Sequence, residues 1–361
     1  MSDGERAVGR RRAAGRRPAE GQRPEGPEPA AVQPPEDPPP TEGPPPPEGP
    51  PAPEGSPPPE APPPAAEPSA DDPFAAHRRL LFGTAYRLLG SVADTEDVLQ
   101  DAWLAWHRTD RAAVRNPRAY LVRTVTNLSL NRLTSARATR ERYVGPWLPE
   151  PLLTSPDVAD GAELTETVST AMLVVLETLS PVERAVFVLR EAFGFTHAEI
   201  AGFLDRPEPT VRQIARRARG HVESRRPRFD ADPGRRAEVT TRFLAAAAGG
   251  DLNAVLELLA PDVVAWSDGG GVVSAARRPL YGPDHVGRWV LGVLRKPVSA
   301  GVRLRAATVN GQPGILIDQG GTVIGSMSYD LADGLVRHLH IQLNPAKLRG
   351  LQAPAPEEGV R

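Results

Sequence analysis

From Phe74 onward the chain alternates between apolar stripes at helical spacing and short polar breaks. Leu80, Leu81, Ala85, Leu88 and Leu89 recur at i, i+4 and i+7, which predicts one amphipathic helix that Gly90 ends. Asp94 then reads as the N-cap of a second helix, with Leu99, Ala102, Trp103 and Trp106 on one face. Asn116-Pro117 is a cap followed by a first-turn proline and predicts a third long helix to about Thr134. Residues 136–162 break the pattern with Gly145, Pro146, Pro149, Pro151 and Pro156 and read as a linker.

A second helical block follows. Ser180-Pro181-Val182-Glu183 and Thr196-His197-Ala198-Glu199 are capping boxes, the first with proline at N1. Val186, Leu189 and Phe193 continue the first of these helices to Gly194. A short helix with Ile200, Ala201 and Leu204, a turn at Asp205-Arg206 and another helix from about Pro207 complete the block. After Pro233 the texture changes. Helices are predicted near Arg235–Ala247, Asp251–Leu259 and Pro283–Leu294. β-like runs fall at Val263–Trp266, Val302–Val309, Gly314–Ile317, Thr322–Tyr329 and Val336–Leu343, and suggest an antiparallel sheet. Helices first and strands afterwards argue an α+β domain behind an all-α part.

Composition changes the picture mainly at the N-terminus. Residues 1–72 hold more than half of the 42 prolines, with Glu, Gly and Ala, and are too poor in apolar residues to offset chain entropy. They are expected to be a disordered tail of polyproline-II character. The chain has no cysteine, which excludes disulfides and thiolate metal sites. No run of 18 apolar residues and no signal-peptide pattern occurs, so the expectation is a cytoplasmic protein with no membrane contact. The net charge of −2 points to no partner. Lys296 and Lys347 are the only lysines, so arginine richness by itself reflects codon bias and only arginine clustering is informative.

Such clustering occurs at residues 196–222, where two short helices have helix-turn-helix spacing. Val211, Ile214, Ala215 and Ala218 make a buried face of the second helix. Arg212, Gln213, Arg216, Arg217 and Arg219 project elsewhere, and Arg225, Arg226 and Arg228 extend the run. Guanidiniums and amides on a recognition helix read base edges and clamp phosphates, so this face is assigned to DNA. The bland alternative is a solvated arginine-rich helix. A second constellation is Asp94, Glu96, Asp97, Gln100 and Asp101, stacked at i, i+4 beside a tryptophan-rich face. Alone it is an ordinary solvated stripe and only weak support for a protein partner. The third runs from Arg118 to Arg142. Arginines including Arg118, Arg123 and Arg132 alternate there with Thr126, Asn127, Ser129 and Asn131 near Tyr120, a mixture suited to a nucleic-acid strand.

Together these blocks resemble the extracytoplasmic-function sigma factors of bacterial RNA polymerase. Residues 74–135, with "DTEDVLQDAWLAW" and "NPRAYLVRTVTNLSLNRLTSAR", resemble the sigma-2 domain; residues 163–228 resemble sigma-4. The resemblance implies that Asp94, Glu96, Asp97, Gln100 and Asp101 contact the β′ coiled coil of core RNA polymerase. It implies that Asn127 and Arg132 lie in the segment that opens and reads the minus-ten element, where a flipped base is captured. Arg212, Gln213, Arg216 and Arg217 match the face that reads the minus-thirty-five element. Asp205 stands where the family usually has glycine at the turn.

Three further motifs narrow the subgroup. "WLPEP" (Trp147, Leu148, Pro149, Glu150, Pro151), "DGGG" (Asp268, Gly269, Gly270, Gly271) and "NPAKL" (Asn344, Pro345, Lys347, Leu348) are similar to landmarks of the sigma factors that carry a fused SnoaL-like domain of cystatin-like cone fold. Val272 departs where lysine is common, and Ala346 where aspartate is. The domains implied are a tail 1–72, sigma-2 at 73–138, a linker at 139–162, sigma-4 at 163–230, the SnoaL-like domain at 231–350 and a tail at 351–361. In this subgroup the last domain is thought to act in place of a separate anti-sigma protein, packing on the sigma domains and the linker; "DGGG" and "NPAKL" are expected to help form the contact surface with the linker. The partners implied are the β and β′ subunits of core polymerase and promoter DNA. The free protein is expected to be a monomer, with no cofactor and no metal.

Two other readings stay open at this stage. SnoaL-like folds include cyclases and isomerases, and Asp268, Tyr281, Asp318, His338 and His340 are candidates to line a catalytic or ligand-sensing pocket. His338 and His340 alternate on a strand, so both face one side, with solvent and a pocket both open as its surroundings. A one-component activator would keep the helix-turn-helix and a sensor but has no need of the acidic helix or of the Asn116–Arg137 segment.

Overall fold

The computed structural model describes residues 72–140, 143–154, 169–225, 233–296 and 300–352, with the backbone alone at 136–140 and 233. The expectations for the proline-rich tail, for Arg226 and Arg228, for most of the 351–361 tail and for the second half of the linker lie outside those residues.

Helix α1 spans Pro73–Leu89. Its N-cap Asp72 accepts from Phe74 N at 3.0 Å and from Trp106 Nε1 at 2.9 Å, so one carboxylate fixes the helix start and the tryptophan together. Gly90 ends α1 in the left-handed region (φ 66°). Helix α2 spans Val92–Arg108 and begins three residues earlier than its sequence cap suggested. The left-handed Gly90 throws Ser91 into an extended conformation, and Ser91 caps the helix by accepting from Asp94 N at 3.2 Å. Asp94 therefore lies inside the first turn. Helix α3 spans Pro117–Arg140, with Asn116 Oδ1 accepting from Ala119 N at 3.0 Å. It runs past Thr134 because no Gly or Pro interrupts it before Gly145.

The three helices pack on one another through Leu81, Leu88, Val98, Leu99, Trp106, Leu121, Val122 and Val125. The same core continues into α4 (Thr170–Glu177), α5 (Pro181–Phe187), a π-helical turn at Val188–Ala192, α6 (His197–Leu204) and α7 (Glu208–Arg225). Polar contacts cross between the two helical groups. The Arg184 guanidinium donates to Leu88 O and to Glu177 Oε1, both at 2.6 Å. Arg118 lies over Phe195 and Arg87 over Phe193, at 4.6 and 4.8 Å from the ring centres.

The C-terminal domain contains α8 (Pro233–Gly249), α9 (Leu252–Leu256), α10 (Pro283–Leu294) and six strands. These are β1 (Leu259–Asp268), β2 (Leu280–Tyr281), β3 (Val302–Val309), β4 (Gln312–Gln319), β5 (Thr322–Ala332) and β6 (Leu335–Gln342). The order is β2-β1-β6-β5-β4-β3. The sheet is mixed rather than purely antiparallel, because β1 and β6 run parallel with Trp266 opposite His340 and Asp268 opposite Gln342. The long excursion through β2, α10 and the β3–β6 meander returns the chain beside β1 in its own direction.

Period-two alternation divides the sheet's faces. Ala265, Ile315, Met327, Tyr329, Leu339 and Ile341 form one core with Val239, Phe243, Val286 and Val290 of the helices. The opposite face carries Trp266, Asp268, Ser328, Asp330, His338, His340 and Gln342, and it is this polar face that the linker meets.

Candidate functional site

The helix-turn-helix is built as its sequence suggested. Thr196 and Glu199 cap α6 reciprocally, Asp205 takes the left-handed turn (φ 51°), and α7 follows. Val211, Ile214, Ala215, Ala218 and Val222 are buried, whereas Arg212, Gln213, Arg216, Arg217 and Arg219 are exposed. Arg212 pairs with Glu208 at 2.8 Å and Arg219 with Glu191 at 2.6 Å. Both pairs are solvated and therefore weak, so a phosphate can compete for these arginines.

On α2, Glu96, Asp97, Gln100 and Asp101 are exposed and Asp94 is half-buried. Arg132 of α3 reaches across to this face, donating to Asp94 Oδ1 at 2.9 Å and to Asp97 Oδ2 at 2.5 Å. Glu96 pairs with Arg78 at 2.8 Å. Arg132 thus joins the acidic face, while Asn127 and Asn131 stay open on α3. Thr126 and Ser129, grouped by sequence with the strand-binding residues, are buried, because both fall on the stripe of Leu121, Val122 and Val125.

The three short motifs meet at one seam between the linker and the sheet's polar face. Asp268 is fully buried. Its carboxylate accepts from Tyr143 Oη at 2.6 Å, Leu148 N at 2.9 Å, Lys347 Nζ at 2.8 Å and Gly270 N at 3.0 Å. Lys347 also donates to Leu148 O at 2.7 Å, and its ammonium lies 4.1 Å from the Trp147 ring centre and 4.9 Å from that of Tyr143. Asn344 donates to Tyr143 Oη at 2.8 Å and packs so close to Gly270 (φ 62°) that a Cβ there would stand 2.4 Å from the amide. Gly271 faces Val144, and Gly269 sits where a Cβ would strike Val273 O at 2.3 Å. Pro345 opens the turn Pro345–Lys347 after its cap Asn344. Leu348 is buried with Val309, Leu316, Val323 and Leu351. Burial raises the Tyr143 phenol, and its bond to Asp268 adds to that, so it stays a donor.

The linker also reaches the far edge of the sheet. Leu153 pairs with Val309 in a single antiparallel bridge, with Thr154 N donating to Thr308 O at 3.0 Å and Asn310 N to Leu152 O at 2.8 Å. Glu150 turns the other way. Its carboxylate accepts from Val92 N at 2.7 Å and Ser91 Oγ at 3.2 Å, and its N–H donates to Gly90 O at 2.8 Å. Pro149 and Pro151 are buried beside it. Tyr86, Tyr143, Asn310 and Gln342 are the participants that sequence reading missed. Only the Asn310-Gly311 hairpin dipeptide carried a local signal.

The residues considered for a catalytic or sensing pocket do not converge. Asp268 is taken up by the linker. Tyr281 is 65% exposed, and Asp318 accepts from Gly321 N at 3.2 Å in the β4–β5 turn. His338 and His340 do share a face, but it is not solvent: His340 is buried, stacked on Trp266 at 5.3 Å, with Asp330 Oδ2 3.9 Å from its Nδ1. Burial pushes His340 down to about 4, keeping the ring neutral. Among the described residues no His/Asp/Glu cluster is arranged to hold a metal, and no helix is long and apolar enough to cross a membrane.

Comparison with known proteins places these features. The Sigma-70 region 2 profile matches residues 74–139 and the Sigma-70, region 4 profile matches residues 169–222. The chain is 41% identical over 247 residues to the ECF RNA polymerase sigma factor SigJ of Mycobacterium tuberculosis, covering 67% of this chain and 78% of that one. It is 32% identical over 293 residues to the probable ECF RNA polymerase sigma factor SigI of the same species, covering 79% and 98%. The crystal structure of M. tuberculosis SigJ superposes with a TM-score of 0.63 at 36% identity, over 77% of this chain and 97% of that one. With both sigma regions in order and the additional domain shared with a full-length relative, the chain belongs to the extracytoplasmic-function RNA polymerase sigma factors.

Proposed function

We propose that this sigma factor is held in check by its own C-terminal domain, which grips the linker between the two sigma regions. The observation that carries this reading is the seam at Asp268, where the Leu148 backbone of "WLPEP" shares one buried hydrogen-bond network with the Asp268 and Lys347 side chains of "DGGG" and "NPAKL". The compact packing of region 2 on region 4 supports it, because the minus-ten and minus-thirty-five elements require these regions to stand apart. Tethering gives the seam a high effective concentration, so modest contacts suffice to favour the compact form.

In the open form, Asp94, Glu96, Asp97, Gln100 and Asp101 face the β′ subunit, with Arg132 ordering them. Asn127 lies on the surface that meets the opened minus-ten strand. Arg212, Gln213, Arg216, Arg217 and Arg219 enter the major groove at the minus-thirty-five element. The C-terminal domain works as a binding module without catalysis, cofactor or metal, and the free protein is a cytoplasmic monomer. Transcription in vitro with core polymerase alone tests the whole reading: promoter-specific initiation is expected, restrained in the full chain, and its absence both from the full chain and from the chain truncated before Asn344 would overturn it. Truncation just before Asn344 is expected to alter promoter output; unchanged output sinks the regulatory role.

A further inference from the structure

The first turn of α2 is completed by a residue from another part of the chain. Its three leading amides are Val92, Ala93 and Asp94. Ser91 takes the Asp94 N–H, but Val92 N donates to Glu150 Oε2 at 2.7 Å and Ala93 N leans on the same oxygen at 3.4 Å. A carboxylate at a helix N-terminus both satisfies open donors and meets the positive end of the helix dipole. Glu150 is buried and cannot move independently of the linker. Its N–H is bound to Gly90 O, and its carbonyl accepts from Tyr86 Oη at 2.5 Å.

The C-terminal domain holds the linker on both sides of this residue. Asp268 and Lys347 bind Leu148 two positions before it, and Asn310 binds Leu152 two positions after it. Burial raises the Glu150 carboxyl, while the Val92 and Ala93 amides, the Ser91 hydroxyl and the charge of Lys347 favour its ionised form. Lys347 therefore acts on Glu150 twice, by gripping the adjacent backbone and by its field.

We propose that Glu150 is a positioning residue for α2, transmitting the C-terminal domain's hold on the linker to the helix that carries Asp94, Glu96 and Asp97. This rests on the reading of that helix face as the polymerase contact. When the domain releases Leu148 and Leu152, Glu150 is no longer held against Val92 and Ala93 and the first turn is free to fray, so the open form must re-order the leading acids as it binds polymerase. The C-terminal domain thereby influences polymerase binding as well as the separation of the sigma regions.

The full-length protein carrying Glu150→Gln, Lys347→Met or both tests this, with amide hydrogen exchange at Val92 and Ala93 and affinity for core RNA polymerase as readouts. Each single change is expected to speed exchange at both amides, with little further gain in the double variant; Glu150→Gln, which leaves the Asp268 seam closed, is expected to weaken core binding about threefold to tenfold, the scale of one charge-assisted cap. Unchanged exchange in Lys347→Met overturns the coupling. Faster exchange with unaltered core affinity in Glu150→Gln reduces Glu150 to a passive cap and also overturns the proposal. Asp101→Arg serves as the separate arm. If it leaves core binding intact, the polymerase-face reading of α2 fails, while the exchange data still decide whether the linker's grip reaches the helix.

Discussion

Asn310 Nδ2 donates to Tyr86 Oη at 2.7 Å, joining the β3–β4 hairpin of the C-terminal domain to the first helix of region 2 across 224 positions of sequence. Tyr86 is buried and its hydroxyl donates to Glu150 O, so hairpin, linker and helix share one chain of hydrogen bonds. Asn310 is suited to the position twice over, since asparagine tolerates its left-handed backbone (φ 52°) and its amide has both a donor and an acceptor to use.

Asn310→Gly keeps the backbone conformation and removes both side-chain bonds, leaving Leu152 N without its acceptor. The full-length protein is expected to lose about 1–3 kcal/mol in urea denaturation. A variant as stable as the parent would show that the chain of bonds contributes nothing net.

The Asp268–Lys347 pair predicts a non-additive double variant. Asp268→Asn leaves the Lys347 ammonium largely buried without its counter-charge, with an expected cost of about 3–5 kcal/mol. Adding Lys347→Met removes the stranded charge and should recover part of that loss. Simple addition of the two single effects, measured by the same denaturation, would refute the pairing.

The α7 arginines make a prediction in salt. Arg216→Ala or Arg217→Ala is expected to weaken promoter binding and, for a phosphate contact, to lower the slope of log affinity against log salt by about 1. Loss of affinity with an unchanged slope would assign the residue to a base edge instead.

His340 predicts a pH window. Its folded-state value is depressed from 6.5 to about 4, first by burial, then by His338, against the opposing effect of Asp330. Between those limits the unfolded chain binds the proton that the folded chain refuses. Its contribution to stability is therefore complete above pH 6.5 and is lost as pH falls towards 4. Magnetic resonance of the full chain should find the His340 ring neutral at pH 5; a midpoint near 6.5 would contradict its burial.

Elements whose reasons are local were legible in the sequence. The boxes at Ser180 and Thr196, the stop at Gly90, the left-handed Asp205 and the buried stripe of α7 follow from neighbours a few residues away. The start of α2 was misplaced because Ser91 and Asp94 are both good caps, and the choice depends on Gly90 and on a glutamate from the linker. The parallel pairing of β1 with β6 and the inward-facing histidines were hidden for the same reason: each depends on what crosses over after a long excursion. Motif matching found Asp268 and Lys347, but not Tyr86, Tyr143 or Asn310, whose roles exist only once distant segments touch.

The bridge from Leu153 to Val309 has a consequence for gene dosage. A repressor made separately must be matched in amount to its target, and any excess of target escapes control. Under the proposed restraint each molecule carries its own hold in the connection between its two promoter-binding regions, so the ratio of the two is fixed at synthesis. Raising expression should raise the number of active molecules in proportion, with no threshold at which the repressor runs out.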